Sequence, residues 1–183
     1  MSDPLAWALQ HARRQTLALA GDIAAEHYCS QAQPGEHHPT WILGHLLLSD
    51  SYLLYLLNVY ALPDDFSALL QKYGPGATPT PRVSEYDAKH QLIERLVATG
   101  ESRAAAVRQL TEADLARPNP DAILVRTQPT LGHHVHAMVF HEGYHSGQLS
   151  SWRKAHGLAA GEWVFAPEPR PRLSNDLFPK RPA

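Results

Sequence analysis

One stretch constrains the fold more than any other: Trp41 to Leu62, lying between Pro39 and Pro63, is almost continuously apolar. It is broken by His45, Ser49, Asp50, Ser51 and Asn58. Those polar groups make it a poor membrane span, and its leucine content makes it a helix buried on most of its sides. Such a helix needs other elements around it, and the rest of the chain supplies helical patterns. A first helix opens at Ser2 or Asp3 with Pro4 in its first turn, carries Leu5, Leu9, Ala12 and Leu19, and fades before Pro34-Gly35. A third follows Pro81, with Ser84 and Asp87 as a capping box, and runs through Leu92, Leu96 and Val107 to about Leu110. Gly100 lies inside it at a cost of about 1 kcal/mol. A fourth begins near Thr130 and ends at Gly157, a natural C-terminal cap.

These four segments predict an all-α fold, a four-helix bundle over residues 1–157, followed by a proline-rich tail at 158–183 in which Trp163 and Phe165 are candidate anchors onto the bundle. The second and third helices are separated by about 20 residues containing Pro63, Gly74, Pro75, Gly76, Pro79 and Pro81. A helix of about 22 residues is about 33 Å long, and the connection can span that at about 3.3 Å per residue. The second and third helices can therefore run parallel, joined by one long crossover. The segment from Glu112 to Pro129 reads as irregular, with Ile123-Leu124-Val125 as a short strand or a packed loop.

Composition narrows the function. With 183 residues the chain can form one domain with a real core. The formal net charge of -2 supplies no basic field for nucleic acid, and Arg13, Arg14, Arg103 and Arg108 read as scattered surface charges. The single cysteine, Cys29, excludes an internal disulfide and fits a reducing compartment. Residues 1–20 lack a signal-peptide pattern, so a cytoplasmic protein without membrane attachment is expected.

Histidine is abundant, at 12 residues against 2 methionines, and its spacing carries the chemistry. His141 and His145 are four apart on the predicted fourth helix, so their imidazoles point to one side and can share an ion. A third ligand must come from another helix. His45, in the middle of the apolar second helix, is the best candidate, because ligation would offset the cost of burying its imidazole. The bland alternative is that His45 is a core histidine bonded to a backbone carbonyl. His134 shares the face of His141 but lies about 10 Å along the axis, too far to bind the same ion; it reads as a polar first-turn residue, a support for the ligands or part of a cavity mouth. His133 and His136 share that polar turn, and His37 and His38 are expected to be exposed. Glu142, next to a ligand, is a candidate general base, a support for a ligand, or simply a surface or inter-helix carboxylate. The segment from His141 to His145 also matches the H-E-x-x-H pattern of zinc proteases. Its extended form fails here, because Gln148 stands where that pattern has glycine and Ser151 where it has histidine.

Trp41-x-x-x-His45 together with His141-Glu142-x-x-His145-x-Gly147-Gln148-Leu149 resembles the DinB/YfiT-like family, the metal-binding family rather than the DNA polymerase of that name. The resemblance covers roughly residues 1–157. It implies helices in up-down-down-up order, a homodimer, and one divalent ion, zinc or nickel before iron or manganese, on His45, His141 and His145. Related families include thiol-dependent isomerases and transferases. The resemblance thus implies a metal-dependent thiol transferase or hydrolase acting with a low-molecular-weight thiol or another small molecule, or else a non-catalytic metal-binding protein of stress response.

Overall fold

The computed structural model describes residues 2–159 and 161. It is all-helical, with six α-helices and no extended strand among the described residues: α1 (Ser2–Gly21), α2 (Pro39–Leu56), α3 (Phe66–Tyr73), α4 (Lys89–Gln109), α5 (Glu112–Ala116) and α6 (Leu131–Ala155). None is long and apolar enough to cross a membrane. Trp163 and Phe165 lie outside the described residues.

The helix ends follow local chemistry. Pro39 occupies the first turn of α2, and the His38 ring accepts the Trp41 N–H at 3.2 Å as a side-chain cap. α2 stops at Leu56, short of Pro63, because Asn58 adopts φ +57°. The N–H groups of Asn58 and Val59 then turn back to Tyr55 O and Leu54 O, each at 2.9 Å, which satisfies carbonyls that the helix would otherwise leave open. Gly157, at φ +72°, closes α6 in the same way, with Leu158 N–H on Arg153 O at 2.9 Å. Thr130 caps the start of α6 by accepting the His133 N–H.

The connection from α2 to α4 carries α3, which the density of prolines in that stretch conceals. The expected capping box at Ser84 and Asp87 is absent: α4 begins at Lys89, Gln91 accepts the Ala88 N–H at 3.2 Å, and Asp87 instead accepts the Tyr73 hydroxyl at 2.6 Å. The segment around Ile123 is a turn, with a single 3-10 turn at Leu124–Arg126 and no strand.

Four long helices form the body. α1 lies against α4 and α6, and α2 against α4, α3 and α6. Two apolar clusters fill the interior. One includes Leu19, Trp41, Leu46, Leu96 and Trp152; the other includes Leu9, Leu53, Val107, Val135 and Met138. Between them on every long helix sits one charged residue: Arg13 on α1, Asp50 on α2, Arg103 on α4 and Glu142 on α6. Arg13 Nε donates to Glu142 at 2.5 Å and Arg13 Nη1 pairs with Asp50 at 2.9 Å. Arg103 donates to Asp50 at 2.5 Å and also to Glu142. All four side chains are at most 5% exposed. Two positive and two negative charges cancel, so burial leaves no isolated ion. Arg13 and Arg103 are therefore core residues and not surface charges. Gly100 now has a reason: a Cβ there would stand 3.3 Å from Arg13 Cγ, in the path of that side chain to the network.

Candidate metal centre

His141 and His145 stand one turn apart on α6, and His45 faces them from α2. The structure brings these three predicted residues together. His45 Nε2 is 2.9 Å from His141 Nε2, which is 3.1 Å from His145 Nε2. Nitrogens that share one ion at about 2.0–2.1 Å have about this spacing.

What surrounds the rings fixes which nitrogen is free. His45 Nδ1 donates to the backbone carbonyl of Tyr73 at 2.7 Å. His145 Nδ1 donates to Gln148 Oε1 at 2.7 Å. The Gln148 amide is oriented in turn, since its Nε2 reaches Tyr144 Oη at 3.2 Å and His37 Nδ1 at 3.3 Å. In the neutral rings, both His45 and His145 therefore present Nε2 as a bare lone pair. A proton on His141 Nε2 can satisfy one of these neighbours but not both. A cation at the centre satisfies all three, so the donor set fits a divalent ion. His141 Nδ1 has no partner among the described residues.

The environment keeps the rings neutral. Burial pushes His45 down to about 4, with the Tyr73 hydrogen bond opposing and His141 adding to the shift. Burial, then His141 and His45, push His145 down to about 3. Burial also lowers His141. Neutral imidazole is the form that binds metals. Aromatic packing holds His45: Trp41 stacks on it at 4.8 Å, and His37 stacks on Trp41 at 3.7 Å. Among the described residues no cysteine, aspartate, glutamate or further histidine joins the three as a donor. His45 and His141 line a cavity of about 550 Å³ between α2, α3, α6 and the loop before α6.

The other predicted residues fall elsewhere. Glu142 is fully buried in the arginine network. Burial alone would raise its carboxyl, but Arg103 and Arg13 outweigh that and hold it below the usual range. His38 is fully buried, not exposed, and caps α2. His133 and His136 are exposed, whereas His134 is buried and lines the cavity. His45 does bond a backbone carbonyl, as its alternative reading expected, but the sequence did not point to Tyr73 as the residue that offers it. The one local signal was Gly44, whose missing Cβ lets the Tyr73 ring lie against α2.

The sequence profile of the DinB superfamily matches residues 8–149, a span that includes His45, His141 and His145. No curated protein matches the chain significantly. With its all-helical architecture and this profile match over most of its length, the chain belongs to the DinB superfamily.

Proposed function

We propose that this protein is a metal-dependent enzyme of the thiol-transferase type, with one divalent ion, zinc or nickel, held by His45, His141 and His145. The observation that carries the reading is the convergence of three imidazole nitrogens, two of them fixed as lone pairs, on a point beside a cavity. Three protein donors leave room for an exogenous ligand, as in catalytic zinc sites. When bound, the ion would supply Lewis acidity that lowers the pKa of a coordinating thiol or water.

The chain's own residues favour thiol transfer over hydrolysis. Hydrolysis of the zinc-protease kind needs a general base near the centre, and Glu142 is committed to Arg13 and Arg103 with its pKa depressed. Asp121, the carboxylate that lines the cavity, is also held low, first by the Tyr52 hydroxyl and then by backbone N–H groups. A thiol activated by the ion needs no such base. Glu142 acts here as the anchor that sets the rotation of α6, so that its two ligands face His45.

The same reading takes the helices in up-down-down-up order. Its support is the pairing of Arg13 with Glu142 and Leu19 with Arg153 between α1 and α6, against Leu9 with Arg103 and Arg13 with Leu96 between α1 and α4. It also takes the protein as a homodimer, supported by the exposed Phe140 and Tyr144 on α6 and Trp7 on α1. Sedimentation of the purified protein checks that assembly.

The test of activity is a panel of low-molecular-weight thiols with electrophilic aromatic and epoxide acceptors, using zinc-loaded and nickel-loaded protein. Thiol consumption faster than with His145→Ala supports the reading. Equal rates across the panel remove thiol transfer and leave a metal-binding protein without this chemistry.

A further inference from the structure

Two buried imidazole nitrogens have no hydrogen-bond partner among the described residues, and both belong to residues that line the cavity beside the metal centre: His134 Nε2 and His141 Nδ1. Native proteins rarely leave such atoms unmet, because an unpaired buried polar group has given up its hydrogen bonds to water and gained none in return. His134 is only 4% exposed. Its Nδ1 donates to Gln128 Oε1, which leaves Nε2 as a lone pair that can only accept. The two residues are seven apart on α6, so they sit on one face about 10 Å apart along the axis.

The walls between them define a chemical class. Leu48, Phe66, Leu70, Leu124 and Met138 make the cavity apolar, and its volume of about 550 Å³ lies within the range of small-molecule sites. Leu70 and Ile123 are 48% and 78% exposed and line the same cavity, so apolar surface continues to solvent. Among the described residues no lysine or arginine lines it. Asp121, ionised by its bonds to Tyr52 and the Leu124 backbone, adds negative charge at the end near His134. In the metal-free protein an anionic group has no counter-charge there and would meet a carboxylate.

We propose that this cavity binds a neutral, apolar, ring-sized molecule carrying one hydrogen-bond-donating hydroxyl or amino group, and that the His134 ring, whose Nε2 is closed off in this structure, turns so that Nε2 accepts that group. In the proposed thiol transfer this molecule is the acceptor substrate, with an electrophilic carbon such as that of an epoxide at the histidine centre: sulfur bonds to that carbon as its C–O bond breaks, and the released alkoxide takes up the proton the thiol gave up. That last assignment rests on the metal-site reading; the binding specificity of the cavity does not.

The experiment is calorimetric titration of zinc-loaded and chelator-treated protein with three probes: α-naphthol, its methyl ether and naphthalene sulfonate. One site per chain is expected, with naphthol at least about tenfold tighter than the ether, because the ether leaves the His134 acceptor unmet. In chelator-treated protein the sulfonate is expected to bind weakest. His134→Phe removes the preference for naphthol over the ether while apolar binding persists. Ala137→Phe fills the cavity and abolishes binding without changing metal content; thermal melts check that each variant is folded. Equal affinity for naphthol and ether in the parent, tightest binding of the sulfonate in chelator-treated protein, or no binding at all overturns the proposal. Zinc retained without naphthol binding sinks the cavity and leaves the metal centre intact. Naphthol binding with the expected preference in a protein that takes up no zinc supports the cavity and sinks the metal centre instead.

Discussion

Gly44 on α2 lies so close to the ring of Tyr73 that a Cβ on it would stand 2.3 Å from Tyr73 Cε1. The same tyrosine offers its backbone carbonyl to His45 Nδ1 at 2.7 Å. The close approach of α3 to α2 therefore fixes the tautomer of His45. An alanine at position 44 would gain roughly 1 kcal/mol of helix propensity if the space were open. It is not open, and a Tyr ring in a packed core cannot swing away cheaply. Gly44→Ala is expected to lower zinc affinity by about 10–100-fold, the usual consequence of disturbing a ligand's support. Competition titration with a chromogenic chelator reads this directly, and unchanged affinity with a raised Tm would refute the packing argument.

Gln148 plays the matching part for His145. Gln148→Leu removes the acceptor for Nδ1–H and is expected to weaken zinc binding by about tenfold or more, whereas Gln148→Glu, with a carboxylate in the same place, retains or strengthens it. If the leucine variant binds as the parent does, the oriented-tautomer account of this ligand fails.

The four-helix charge network makes a separate prediction about stability. Glu142→Ala leaves Arg13 and Arg103 buried with one partner fewer, and the expected cost is about 3–5 kcal/mol. Urea denaturation of chelator-treated protein measures it free of metal linkage. A loss below about 1 kcal/mol would mean that the arginines find other partners and that Glu142 does not anchor α6.

His38 predicts a pH dependence. Burial pushes its folded-state pKa down to about 4, against the Thr80 carbonyl that favours the charged form. Protonation would also end its capping of α2, because Nδ1 accepts the Trp41 N–H. The folded pKa lies below the unfolded value of about 6.5. Its contribution is thus complete above about pH 6.5 and is lost as pH falls toward 4. Thermal melts of chelated protein between pH 7.5 and 4.5 are expected to fall steadily, and less steeply for His38→Asn, which keeps a capping oxygen. Parallel slopes for parent and variant would contradict the assignment.

The sequence carried the pairing of His141 and His145 openly, since a spacing of four places two side chains on one helix face whatever the surroundings. His45 was readable because a lone imidazole in an unbroken apolar segment needs a partner. Gly157 marked the end of α6 correctly. Pro63 misled at the end of α2, where Asn58 in the left-handed region already closes the helix. The charge network was hidden for a different reason. Arg13 and Glu142 are 129 residues apart, and Arg103 and Asp50 are 53 apart. No local spacing links such partners, and arginines are ordinarily surface residues. The support from Tyr73 was equally hidden, because a backbone carbonyl has no residue signature.

The central claim is that three histidines from two helices hold one ion. The most direct measurement is metal content by mass spectrometry of untagged protein, compared with His45→Ala, His141→Ala and His145→Ala after incubation with zinc or nickel. The account predicts about one ion per folded parent chain and a loss in all three variants, each still folded by circular dichroism. A parent that takes up no ion, or an ion retained when His45 is removed, would contradict it.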